Sequence, residues 1–280
     1  MAMKDRLAQV FRDRVAGPDA AERAERIWRT PGERWFTDDD PIAKVNGAAT
    51  MYVGGIRALL LQSLHPLPME AVVQFSNYQS DPWTRLQTTA NYVAETTYGR
   101  IEDATALINR VKQVHTHIHG ETADGRHFDA SDPHQLTWVH VAEIDSFLTA
   151  YQMYSGTPLS PAEQDTYVEQ SAVSARILGV VDPPTTVDAM KEILASYTPE
   201  LEFTPGAQGV VEFMTTKPPV PWYMRPGFEM FVQGAIASLP TQYRQMLSLP
   251  TTGDWWRTTL GKAATASVQW SLGHAKLEIE

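Results

Sequence analysis

The stretch AATMYVGGIRALLLQSLHP, residues 48–66, constrains the fold more than any other part of the chain. Its triple Leu leaves no wet face over that turn, so a helix formed here must be covered by protein all round. Pro66 marks its end. The segments that follow read as further helices. QSDPWTRLQTTANYVAETTYG offers Asp81 as an N-cap, Pro82 at the first helical position and Gly99 as a stop. Residues 101–119 have helical apolar spacing and Gly120 in a closing role. Asp132-Pro133 opens a long helix to about Tyr154, and SPAE at 160–163 is a capping box for a helix to about Gly179. PPTTVDAMKEILASY gives another, and one or two more fill 227–247. Between them, GETADGRHFDA carries an Asp-Gly turn between short extended pieces and predicts a small β-hairpin. Residues 198–226, rich in Pro and Gly, read as short broken pieces.

No strand–helix alternation occurs. The expected fold is therefore all-α: one large helical domain over 1–280 with a small hairpin insertion, a polar helical extension over 1–30 and a tail from 251 of uncertain structure. The chain is 43% hydrophobic and 20% charged, as globular chains are. Its net charge of −10 gives no general attraction for nucleic acid or anionic lipid. It has no cysteine, which excludes disulfides, thiolate catalysis, iron–sulfur clusters and Cys-ligated zinc or haem. No apolar stretch approaches a membrane span, and the N-terminus reads as no secretion signal. The expectation is a cytoplasmic protein that acts on a small molecule, with its oligomeric state open. No P-loop, dinucleotide fingerprint, nucleophile elbow, HExxH or EF-hand motif occurs.

The candidate site residues come from helix faces. In VKQVHTHIHG three histidines fall within five positions, but on a helix His115, His117 and His119 do not converge. Leu107, Val111, Val114 and Ile118 form the apolar stripe expected to face the core. His115 stands on its shoulder with Ala104 and Ile108, and only His119, at i+4, shares its face. From position alone, His115 is either a buried histidine bonded to a neighbour or a ligand that looks into a cavity. On the next helix back, Arg85, Thr89, Tyr92 and Thr96 form one polar face, suited to an anionic guest or to a structural carboxylate. Arg57, Gln62 and His65 interrupt the apolar helix; a buried Arg must be paired or face a polar guest. His140, Ile144, Phe147 and Tyr151 share a face of the long helix, read as packing or as a cofactor wall. His127, His134 and His274 receive no role. A mononuclear non-haem iron site needs two His and a carboxylate together, and the helix faces offer no such set.

GGIRALLLQSLHP, FSNYQSDPWTRLQTTANYVAETTYG and VKQVHTHIHGETADGRHFDASDPHQLTWVH, in that order, resemble the MpaB / latex-clearing-protein family of rubber-oxygenase catalytic domains. The resemblance runs from about Asp40 to about Leu249. It implies an all-α fold, b-type haem and dioxygen or peroxide as oxidant. It places the proximal iron ligand at His115, with His119 as a fallback. It places the Arg-x-x-x-Thr signature at Arg85 and Thr89, and a supporting segment at Arg57, Gln62 and His65. Arg85, Thr89 and His65 become the candidate catalytic residues; His115, Arg85, Thr89, Arg57 and His140 become the candidate haem-binding residues. The chain departs from the latex-cleaving members at Thr88, where they have a distal Lys, and at Glu70, which matches their distal carboxylate only loosely. The resemblance therefore implies a haem-dependent oxidative enzyme for a small, fairly apolar molecule, of the kind found in natural-product metabolism, rather than polyisoprene cleavage. A non-enzymatic haem binder or a cofactor-free relative would share the same fold.

Overall fold

The structure is a computed structural model whose described residues are 20–76, 80–218 and 220–277. Among them lie α1 (Ala20–Ala24, continued by a π-helical turn Glu25–Arg29), α2 (Pro41–Asn46), α3 (Met51–Gln62), α4 (Pro66–Phe75), α5 (Pro82–Tyr98) and α6 (Ile101–His115). The hairpin β1 (His119–Glu121) and β2 (His127–Asp129) follows. The second half carries α7 (Pro133–Tyr154), α8 (Pro161–Leu178), α9 (Val187–Ser196), a 3-10 turn Thr198–Glu200, α10 (Pro205–Thr215), α11 (Arg225–Ser238), α12 (Thr241–Met246) and α13 (Asp254–Leu277). The architecture is all-α with a two-stranded antiparallel insertion, as the sequence predicts. Residues 1–19 of the extension expected over 1–30 lie outside the described residues.

Local chemistry sets most boundaries. The Asp81 side chain accepts the Thr84 N–H at 3.3 Å and starts α5. The Asp132 side chain accepts the His134 N–H at 2.7 Å and starts α7. Ser160 and Glu163 close the capping box of α8. Each of these helices has Pro at its first position, where no backbone N–H is needed.

Helices α3 and α7 form the centre. Leu60, Leu61, Trp138, Val141 and Ala142 have no exposed surface, and α3 packs along α7. Trp138 Nε1 donates to the Gln62 carbonyl at 3.2 Å, and Gln62 Nε2 donates to the Val139 carbonyl at 3.0 Å. Leu60 and Leu61 of the all-apolar turn are thus covered as the composition demands, whereas Leu59 is only partly buried.

Several expectations are corrected. Pro66 ends one helix but also opens α4, which the sequence reading leaves out: His65 caps it, with Pro66 at its first position. The 198–226 region contains α10, started by Thr204, whose hydroxyl accepts the Ala207 N–H at 3.2 Å. The tail forms α13, and it packs on α11 where Gly234 and Gly261 meet. A Cβ placed on Gly234 would stand 2.8 Å from the Gly261 Cα, so only glycine allows this approach.

The largest correction concerns α6. It stops at His115 rather than His119. The next residues enter the hairpin, in which Gly120 pairs with Phe128. A Cβ on Gly120 would stand 2.9 Å from the Phe128 ring, so this glycine admits a buried Phe rather than capping the helix. The buried face is also rotated. Ala104 and Ile108 have no exposed surface, whereas Val114 is 53% exposed. Apolar spacing favours the bulkier Leu107–Val114 row. The packing against α5 and α8 selects the row of Ala104, Ile108 and His115 instead.

Candidate functional site

At the end of α6, where His115 stands, lies a cavity of about 550 Å³, within the roughly 300–1,000 Å³ range of small-molecule and cofactor pockets. Helices α3–α8 and α10–α11 all contribute to its wall. Arg85, Thr89, Tyr92 and Thr96 line it together, so the polar face read from the sequence of α5 does face a cavity. His115 lines it from the end of α6, and His140 from α7. Most of the remaining wall is apolar, including Met69, Val72, Leu86, Val139, Ile144, Phe147 and Phe213.

Several ionisable groups in this wall lack a partner. Among the described residues the Arg85 guanidinium has no hydrogen-bond or carboxylate partner. Burial lowers its pKa. His115 Nδ1 is shut off from solvent and unbonded, and so is His140 Nε2. Burial, and after it the Arg85 charge, push the His115 pKa down, while Asp129 pulls it up; the ring is therefore neutral at pH 7. Burial alone takes His140 down to about 4.

The sequence reading misses Glu143. It sits three residues after His140 on α7 and lines the same cavity. Burial pushes its carboxyl up to about 7. Its charge helps raise Tyr92 and Tyr167, after burial itself. The available signal was the spacing: residues i and i+3 share a helix face, so His140 implies Glu143. Thr89 is partly engaged, donating to the Arg85 carbonyl at 3.1 Å.

Two sequence candidates stand outside the cavity lining. Arg57, 2% exposed, meets Asp145 Oδ2 at 2.7 Å, Ser146 Oγ at 2.7 Å and the Ser238 carbonyl at 3.2 Å. It satisfies the requirement that a buried Arg be paired, but with the protein rather than a guest. His65 packs with Trp138 and Tyr197, ring centroids 5.9 Å away in each case, and faces His134 and Glu200. His119, the fallback ligand, is exposed on β1 and does not line the cavity; the early end of α6 removes it from the His115 face. His117 is exposed at the same helix end, bonded to the Gln113 carbonyl. The expectation that no two histidines and a carboxylate converge is also corrected. His65, His134 and Glu200 do so, from three separate elements that no helix wheel relates.

A neutral imidazole with a buried unbonded nitrogen, a guanidinium without a partner among the described residues and a mostly apolar wall fit a mostly apolar guest that carries an acidic group and a site for a nitrogen ligand. A catalytic-domain family model, described as ER-bound oxygenase mpaB/B'/Rubber oxygenase, matches residues 43–270. No curated protein and no solved structure matches the chain.

Proposed function

Because the chain belongs to the mpaB/rubber-oxygenase catalytic-domain family, we propose that it is a haem b-dependent oxygenase acting on a small, fairly apolar molecule. The observation that carries this reading is His115, whose ring faces a cavity while its buried Nδ1 has no hydrogen-bond partner. Iron held by such a ring would satisfy one nitrogen and leave the other to a neighbouring acceptor. Haem bound in the cavity would supply the redox chemistry toward dioxygen or peroxide.

The chain's own residues divide the remaining work. His115, neutral because burial and Arg85 both disfavour its proton, is in the form that ligates metal. Arg85 supplies a cation for a carboxylate of the guest, and Thr89 offers its hydroxyl oxygen one turn along α5. Glu143, with its carboxyl pushed up to about 7 by burial, holds a proton near neutrality in a mostly apolar wall. Its Oε atoms can donate or accept that proton. His140, kept neutral by burial, lies on the same face of α7. Arg57 and His65 lie outside this lining and take no part in the proposed site.

The test is a visible absorption spectrum of protein expressed with haem supplied. A Soret band at near-unit stoichiometry is expected in the wild type and not in His115→Ala, with helical circular dichroism retained. A colourless wild type that ignores added haem overturns the proposal. Full haem retention by His115→Ala overturns the ligand assignment.

A further inference from the structure

Away from the cavity, His65, His134 and Glu200 come together from the cap of α4, the first turn of α7 and the 3-10 turn that ends at Glu200. One ligand atom from each lies within 4.8 Å of the other two. His134 Nε2 stands 2.9 Å from Glu200 Oε2 and 3.0 Å from Oε1. His65 Nε2 stands 3.4 Å from Glu200 Oε2. The His65 side chain is 1% exposed, and its Nε2 is buried without a hydrogen bond. His134 and Glu200, at 53% and 42%, leave the other side of the cluster open.

We propose that His65, His134 and Glu200 form a separate site for a borderline divalent cation of the zinc class. Two His and one carboxylate are a donor set for such ions, with a further position left for water. Zinc–nitrogen and zinc–oxygen bonds of about 2.0–2.2 Å at tetrahedral angles put ligand atoms about 3.4 Å apart. The His65–Glu200 pair already has that separation. The His134–Glu200 pair must open by roughly half an ångström from 2.9 Å to admit such bonds, and both side chains are exposed enough to move.

The surroundings bear on this in both directions. Burial keeps His65 neutral, the form that binds metal. Its Nδ1 now accepts the Leu67 N–H at 3.4 Å. Coordination through Nε2 would move the ring proton to Nδ1 and end that contact, which is at the long limit for a hydrogen bond. The Arg126 charge acts on His65 unfavourably, but Asp124 and Glu202 engage that guanidinium. Tyr197 donates to the His134 carbonyl at 2.7 Å and packs on one side of its ring with centroids 4.6 Å apart, which keeps the ring beside His65 while leaving it room to shift. A cation here would tie together points at residues 65, 134 and 200. It would thereby anchor the starts of α4 and α7, both of which line the cavity farther along.

The test is zinc titration of chelator-stripped, full-length protein at pH 7.5, by competition with a chromogenic chelator and by thermal unfolding. One equivalent is expected to bind and raise the midpoint by several degrees, on the order of 5 °C at a hundredfold excess over Kd. The exposed variants His134→Ala and Glu200→Gln keep the buried His65 packing and are expected to weaken zinc by at least tenfold. His127→Ala, at an exposed His–Glu pair elsewhere, is expected to bind as the wild type does. His115→Ala is expected to keep its zinc, which separates this site from the proposed haem site. Absence of stoichiometric zinc, or affinity unchanged in both His134→Ala and Glu200→Gln, overturns the proposal.

Discussion

Asp145 and Glu143 stand two positions apart on α7, yet Asp145 is closed against Arg57 at 2.7 Å, whereas Glu143 lines the cavity with no hydrogen-bond or ion-pair partner among the described residues. On the Arg57 side of the helix the buried charges are matched within the protein. Its guanidinium meets a carboxylate, a hydroxyl and a carbonyl, all from the protein. The cavity side holds a cation, a carboxyl group and two imidazoles; among the described residues Arg85 and Glu143 have no ion-pair partner, and a buried nitrogen is unbonded on each of His115 and His140. Buried charge costs free energy unless it is matched. The first arrangement is therefore what structure alone requires. The second makes sense when a guest supplies what the protein lacks.

Asp145→Asn tests the completed side and carries the largest expected effect. It leaves Arg57 buried without its counter-charge. Removing one partner of a buried ion pair costs about 3–5 kcal/mol, read here as a fall in the urea midpoint. Haem stoichiometry is expected to hold wherever the variant stays folded. A loss below about 1 kcal/mol would mean that the pair is not what satisfies Arg57.

Glu143→Gln on the cavity side is expected to have the opposite sign. Burial raises the folded-state pKa from 4.5 to about 7, so between those values the native state binds more protons than the unfolded chain. The group therefore lowers stability as pH rises from about 4.5 to about 7, and the loss is complete above that. In haem-free protein at pH 8, Glu143→Gln should be more stable than the wild type by about 1–3 kcal/mol, and the gain should vanish by pH 4. Unfolding curves at both pH values decide it. A destabilised variant at pH 8 would place a hidden partner on Glu143 and break the comparison.

Arg85→Leu follows in size. It removes a cation of the cavity wall that has no carboxylate partner among the described residues, so haem-free stability should hold or rise. Haem affinity should fall at least tenfold, about 1.4 kcal/mol, as an anionic group of the guest loses its partner. His117→Ala, in the exposed turn just past α6, is the control and should leave affinity unchanged. Equal losses in the two variants would detach Arg85 from the guest.

Much of this arrangement was legible in the sequence because it is local. The polar row Arg85, Thr89, Tyr92 and Thr96 follows from helix spacing, and all four residues reach the same cavity. Caps at Asp81, Asp132 and Ser160 announce their helices for the same reason. What the sequence concealed depends on distant partners. Apolar spacing placed the buried face of α6 one row away, because the neighbours that choose between Val114 and His115 lie on α5 and α8. Arg57 was recognisable as a buried charge, but its partner Asp145 is 88 positions away, and nothing local distinguishes that partner from a guest. The same limit hid His65, His134 and Glu200, each of which is unremarkable in its own segment.

Thr88 gives the smallest expected effect and fixes the limit of the cavity reading. In latex-cleaving members of the family the sequence resemblance implies a Lys at this position, able to reach the iron. Here the Thr88 hydroxyl donates to the Thr84 carbonyl at 2.8 Å, and its side chain is exposed and outside the cavity lining. No lysine is found in that lining among the described residues. Thr88→Ala should therefore change stability by no more than about 0.5 kcal/mol and leave the haem spectrum unaltered. The resting iron should lack the low-spin signature of an amine ligand. An amine-ligated spectrum in the wild type would bring a lysine to the iron from outside the lining. The cavity wall, and with it the contrast between the two faces of α7, would then have to be redrawn.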